Sequence, residues 1–156
     1  MKQAMLHYSI IEEETYTDEL VELIKDAIEA LPMEIPTEDK PLRGLIDRLV
    51  YGEQGVIMGA YNDNEVVGVI AGMVYPDHPI IQGKTIASEL VLFVKDGYRT
   101  KPSIVKTLIE GFEFWGTSIQ GADYIDMSAY QNKAMSRIYG RYGFKEFETH
   151  YIKKVK

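Results

Sequence analysis

Two features of the chain could do chemistry by residue type and spacing. Glu89 stands alone among apolar neighbours in Ile86-Ala87-Ser88-Glu89-Leu90-Val91-Leu92. A carboxylate is costly to bury without a partner. Glu89 therefore either lines a cleft, where it is a candidate general base, or sits on a wet face set by strand alternation. Just beyond it, Leu92-Phe93-Val94 runs through the polar turn Lys95-Asp96-Gly97-Tyr98-Arg99-Thr100-Lys101 into a long amphipathic segment opening at Pro102-Ser103-Ile104. A helix start behind a basic turn directs backbone N–H groups at whatever lies above it, which makes an anion site. In that reading the amides of Thr100, Lys101, Ser103 and Ile104, the Ser103 hydroxyl, and the Arg99 and Lys101 charges hold an anion. In the other reading this is a helix start with an ordinary proline at its first position, and Arg99 and Lys101 are surface charges.

These residues need elements to position them. Residues 5–11 suit a first strand. Residues 17–31 switch to helical spacing, with Leu20, Val21, Leu23, Ile24, Ala27, Ile28 and Leu31 on one face, Thr17 as N-cap and Pro32 as terminator. Residues 32–41, with three prolines, read as a loop, and 42–51 as a short helix. Residues 56–61 and 65–75 form a hairpin about Asn62-Asp63-Asn64, followed by a loop over 76–83 and a strand over 84–94. Residues 102–119 carry Ile104, Val105, Leu108, Ile109, Phe112, Trp115 and Ile119 on one stripe, which places Phe112 and Trp115 in the core. A short strand at 123–128, a helix at 131–142 and β segments within 144–154 complete the chain. The order β-α-α-β-β-β-α-β-α-β-β implies an α/β fold, with one mixed, mostly antiparallel central sheet flanked by helices, and a single domain over 1–156.

The bulk numbers remove several function classes. The chain has 156 residues, 46% hydrophobic and 26% charged, which is the composition of a globular domain. It has no cysteine, which excludes a disulfide framework, a thiolate metal site and a cysteine nucleophile. His7, His78 and His150 have no metal-ligand spacing, so no metal is expected. Nor is there a Ser-His-Asp arrangement, a G-x-S-x-G elbow or a Walker loop. A net charge of -7 argues against nucleic acid and favours cationic partners such as amines. No apolar run is long enough for a membrane span, and residues 1–8 carry no apolar signal core, so the cytoplasm is the expected location.

A second motif follows the turn by about 35 residues: Asn132-Lys133-Ala134-Met135-Ser136-Arg137-Ile138-Tyr139-Gly140-Arg141-Tyr142-Gly143-Phe144. Together, the strand-turn-helix and this motif resemble the GNAT superfamily of acyl-CoA-dependent N-acetyltransferases over about residues 56–150. The resemblance implies that the turn holds the coenzyme A pyrophosphate and that the backbone around Leu92 and Val94 pairs with the pantetheine arm. It implies that Asn132 contacts that arm or the phosphates, that Tyr139 is the general acid, and that Glu89 is the general base. The family's Arg/Gln-x-x-Gly-x-Gly/Ala turn is altered here, because Pro102 and Ile104 stand at its two glycines. Glycine there permits close approach of backbone to phosphate, whereas proline removes a donor and Ile104 adds a branched side chain. Tyr139 also has a structural reading, as a core tyrosine at a helix end capped by Gly143.

The function this implies is transfer of an acetyl group from acetyl-CoA to a small-molecule or protein amine by direct attack. The acceptor would enter between the 32–41 loop and a terminal hairpin. The lost glycines motivate a different class, a GNAT-fold binding or inhibitory module that does not use acetyl-CoA. Transfer of another acyl or aminoacyl group, or modification of a nucleobase, is a weaker third. The resemblance also allows a homodimer.

Overall fold

The computed structural model describes residues 5–31, 37–79, 81–129 and 133–156. Among these, five strands form one sheet in the order β1-β2-β3-β4-β5: β1 Leu6–Ile10, β2 Gly55–Asn62, β3 Glu65–Tyr75, β4 Ile86–Val94 and β5 Tyr124–Asp126. The first four run antiparallel in sequence, and β5 lies parallel to β4 after a helical crossover. The hairpin between β2 and β3 turns on Asp63-Asn64, with Asp63 in the left-handed region at φ 54°, a conformation that Asp tolerates better than most residues.

Helix α1, Asp18–Glu29, begins where the Thr17 hydroxyl accepts from the Leu20 amide at 3.4 Å. Asp18 and Glu19 fill its first turn, where the helix dipole favours acids. It ends at Glu29, short of the expected 31. Helix α2, Asp39–Tyr51, starts three residues earlier than expected and takes Pro41 into its first turn, where a missing N–H costs no intrahelical bond. Helix α3 spans Pro102–Phe114 and continues as a π segment, Trp115–Ile119. Helix α4 spans Lys133–Arg141.

Neighbouring residues of the strands sort onto opposite faces, as a period of two requires. Ile57, Val69 and Ala71 pack with α1 and α2 through Leu20, Ile24, Ile46 and Leu49. Val56, Ile70, Val74 and Ala87 pack with α3 through Ile104, Leu108, Phe112 and Trp115. Both faces of the central strands are thereby covered, which is why β3 reads as a continuous apolar run. No helix among the described residues is long and apolar enough to cross a membrane.

One expectation is corrected. The β segments expected within 144–154, and the terminal hairpin they would make, do not form, and residues 144–156 have no strand partner. β-rich composition makes a strand only where a neighbour completes the ladder. Among the described residues, β5 is an edge strand of the sheet, three residues long.

Candidate active site

β4 changes partners at Glu89. Its inner edge pairs with β3 throughout, with a bulge that leaves Leu90 unmatched between Ala71↔Val91 and Gly72↔Glu89. Its outer edge pairs with β5 only at Ile86, Ala87 and Ser88. From Glu89 to Val94 that edge has no strand partner among the described residues. Two parallel strands that part in this way open a wedge, and Glu89 stands at its apex.

Glu89 is 4% exposed and is the one buried charged residue among the described residues. Its register partner is Gly72, where an added Cβ would come within 2.4 Å of the Ser88 carbonyl oxygen and 2.5 Å of the Phe112 ring. The bulge, the glycine and the aromatic ring together hold the strand that carries the carboxylate. Its Oε2 accepts from the Ser128 amide at 2.9 Å. Burial pushes the Glu89 carboxyl up to about 7, against the Ser128 hydrogen bond, and the nearby Asp126 adds to the rise. A carboxyl poised there exchanges a proton near neutral pH.

Tyr139 reaches the same residue from α4. It is 6% exposed, and its hydroxyl donates to the Ser128 carbonyl oxygen at 3.1 Å. Its position is set by the end of its own helix. The Phe144 amide bonds the Tyr139 carbonyl at 3.1 Å and the Gly143 amide bonds that of Gly140 at 3.2 Å, with Gly143 at φ 85°. These are the two bonds of a Schellman cap, and the Phe144 ring packs 5.8 Å from that of Tyr139 as its hydrophobic contact. The Tyr-x-x-x-Gly-Phe spacing is thus a capping motif, and the cap aims the tyrosine.

The turn before α3 is buttressed from below. The Tyr98 hydroxyl receives Asn62 Nδ2 at 2.9 Å and donates to Glu65 at 3.4 Å, while Lys95 pairs with Glu65 and Glu19. The Lys101 and Ile104 amides are used within the turn, on the Tyr98 and Lys101 carbonyls. Those of Thr100 and Ser103 have no backbone acceptor among the described residues, and both side chains are exposed. Ile104 is fully buried. Its Cγ2 faces Gly68 on β3, where an added Cβ would lie 3.3 Å away. Its branched side chain therefore points into the core and not into the space above the helix start. Lys101 lies over the Tyr98 ring at 5.2 Å. Arg99 folds back: its Nε donates to the Val94 carbonyl at 2.9 Å, its guanidinium pairs with Asp96 at 2.9 Å, and it lies 5.1 Å over the Phe93 ring. Of the strand residues, Val94 is buried and Leu92 packs partly buried on the α3 side. Asn132 lies outside the described residues.

The fold thus brings Glu89 and Tyr139 together and sets the turn beyond the open edge of β4. Sequence reasoning missed Ser128, whose main chain serves both side chains. Nothing in its side-chain type signals that role, because the contacts are made by its peptide groups. It also missed Asp126, whose carboxyl is raised by burial and lowered by a hydrogen bond from Ser88. An open depression of about 620 Å³ lies at the end of α2, lined in part by Asp47, Tyr51, Glu53 and Met73. Met73 pairs with Ser88, the residue before Glu89.

No protein-family model and no curated protein sequence matches the chain. Solved structures match it along nearly its whole length. An aminoglycoside N-acetyltransferase, AAC(6')-Iy, in complex with CoA superimposes with a TM-score of 0.78 at 16% identity, over 99% of this chain and 97% of that one. A predicted acetyltransferase from Clostridium acetobutylicum, with acetyl-CoA, gives 0.78 at 15% identity over 96% of each chain. A Trypanosoma brucei acetyltransferase gives 0.73 at 18% identity, over 97% of this chain and all of that one. The chain has the fold of the GNAT acetyltransferases.

Proposed function

We propose that this GNAT-fold chain acts as one domain that transfers an acetyl group from acetyl-CoA to an amine. The observation that carries the proposal is the buried Glu89 at the point where β4 and β5 part, joined through the main chain of Ser128 to the Tyr139 hydroxyl. A carboxylate this buried is a cost that a purely structural strand has no reason to bear.

The residues around the wedge fit the nucleotide without the two family glycines. Proline at the first helical position removes an amide that the helix does not use. Ile104 turns inward, the Thr100 and Ser103 amides have no backbone acceptor, and Lys101 is exposed. Thr100, Lys101, Ser103 and the helix start would hold the diphosphate, and the open edge of β4 around Leu92 and Val94 would take the pantetheine amides. Arg99 would contribute after its guanidinium leaves Asp96, an exposed ion pair that costs little to break, and its Nε releases the Val94 carbonyl to the pantetheine arm.

Acetyl-CoA bound there would supply an activated acetyl group and a thiol leaving group. The protein's part is acid–base work and positioning. Glu89 takes a proton from the ammonium or from the attacking amine, directly or through water, and Tyr139 gives one to the departing sulfur. The entry route past a terminal hairpin is set aside, because that hairpin does not form.

The test is thiol release from acetyl-CoA across a panel of amines, alongside a calorimetric titration with CoA. Saturable CoA binding with amine-dependent thiol release is expected. No heat at millimolar CoA would leave the binding-module reading in its place.

A further inference from the structure

The turn over residues 95–101 carries the basic residues Lys95, Arg99 and Lys101. Two of them are engaged with carboxylates. Lys95 pairs with Glu65 at 3.0 Å and with Glu19 at 3.6 Å, and Arg99 pairs with Asp96 at 2.9 Å. Lys101 makes no ion pair among the described residues. Its ammonium rests over the Tyr98 ring, 5.2 Å from the centroid. It also directly precedes Pro102, where the helix start lacks an amide donor. The uncommitted cation of the turn therefore sits next to the position where the main chain offers an anion least.

The ring beneath Lys101 is held at both ends. The Tyr98 amide donates to the Lys95 carbonyl at 3.1 Å, and the Tyr98 carbonyl accepts from the Lys101 amide at 3.0 Å, after Gly97 at φ 85° has reversed the chain. The hydroxyl accepts from Asn62 Nδ2 at 2.9 Å and donates to Glu65 at 3.4 Å. Asn62 and Glu65 face each other at the β2–β3 hairpin, so the hairpin grips the far end of the ring. Asn62 bears a cost for this. Its Oδ1 is buried with no hydrogen-bond partner among the described residues, and a buried orphan acceptor is destabilising. Turning the amide over would claim the hydroxyl proton that Glu65 receives.

We infer that Tyr98 is a positioning residue for the nucleotide: anchored by Asn62 and Glu65, its ring holds the Lys101 ammonium at the helix start, where the diphosphate of coenzyme A takes it as a partner. The inference rests on the acetyl-CoA reading above. Tyr98 touches no ligand and acts through Lys101. A solvated lysine samples many rotamers, and one already ordered over a ring loses less freedom when an anion arrives. The ring covers one side of the ammonium and leaves it N–H donors for phosphate oxygens. A hairpin distant in sequence from the turn thereby contributes to cofactor affinity.

The test is a double-variant cycle read by calorimetry with CoA. Tyr98→Leu should raise Kd about three- to ten-fold in the parent, and Tyr98→Phe, which keeps the ring and loses its anchors, by a smaller factor. In a Lys101→Met background neither change should weaken binding further. A ring that only fills space would cost the same factor in both backgrounds, and such additivity overturns the inference. Turnover gives a second readout. In Tyr98→Phe, KM for acetyl-CoA should rise while kcat stays within about twofold. The kcat/KM for S-acetylpantetheine, a donor without the diphosphate, should not change; an equal fall for both donors overturns the inference. Should Tyr98→Leu fail to fold, Tyr98→Phe carries the cycle by itself. A parent chain that binds no CoA removes the acetyl-transfer reading and this inference together, whereas CoA binding with additive losses removes this inference alone.

Discussion

Glu89 and Tyr139, fifty residues apart on β4 and α4, meet at opposite ends of one residue: the Ser128 amide donates to Glu89 Oε2 at 2.9 Å, and the Ser128 carbonyl accepts from the Tyr139 hydroxyl at 3.1 Å. The two candidate proton-transfer groups therefore share one main-chain mount. Neither side chain can shift without losing a bond to it, and Tyr139 can give its proton to sulfur only after its hydroxyl turns from the Ser128 carbonyl.

The Glu89 carboxyl makes both rate and stability depend on pH. In the folded protein it ionises at about 7, against an ordinary value of 4.5. A general base must be ionised, so turnover should rise as pH increases through about 7, and Glu89→Gln should abolish that limb. Stability moves the other way. Between 4.5 and about 7 the folded chain holds a proton that the unfolded chain has lost, so stability falls as pH rises through this window. Above it, the charged carboxylate costs the fold roughly 3 kcal/mol. Urea unfolding should therefore show Glu89→Gln more stable than the parent above pH 7, with the gain vanishing below 4.5.

Tyr139→Phe should lower kcat by about 100-fold or more, because a positioned proton donor is used in the transition state. CoA affinity from calorimetry should hold, since the ring and its packing on Phe144 remain. The lost hydroxyl bond to Ser128 should cost about 1 kcal/mol of stability. Unchanged turnover would remove Tyr139 from the chemistry and leave it as a helix-end anchor.

Ile104→Ala separates the two views of the altered turn. The side chain is fully buried against Gly68 and Leu108, so truncation should cost about 2–5 kcal/mol of stability through the cavity it leaves. CoA affinity should barely change, because the side chain does not face the space above the helix start. A large gain in affinity would show that Ile104 obstructs that space.

Gly72→Ala probes the strand that carries Glu89. The new Cβ would overlap the Ser88 carbonyl oxygen and the Phe112 ring. Overpacking of this kind costs about 1–3 kcal/mol, and the displacement reaches Glu89 through its register. A lower midpoint in urea together with a fall in kcat is expected; full activity and stability would show that the wedge can widen freely.

Much of the scaffold was legible in the linear order of residues. Thr17 with its two following acids announced α1, Asn62-Asp63-Asn64 the hairpin, and Pro102 with the stripe from Ile104 to Trp115 the long helix, because each is a local preference of backbone and side chain. Glu89 also stood out by local contrast alone, a charge in an apolar run. Several features depended on partners distant in sequence. Whether Glu89 was buried or wet was decided by where β5 stops pairing with β4. The inward turn of Ile104 was decided by a glycine on β3, and the joining of Glu89 to Tyr139 by the peptide groups of Ser128, whose side-chain identity is silent. The tail from Phe144 shows the converse: its composition favours a strand, yet a strand exists only where another edge meets it, and no edge of its own sheet does. Local chemistry is written residue by residue, whereas burial, pairing and the alignment of two proton-transfer groups arise from contacts between segments that only the folded chain brings together.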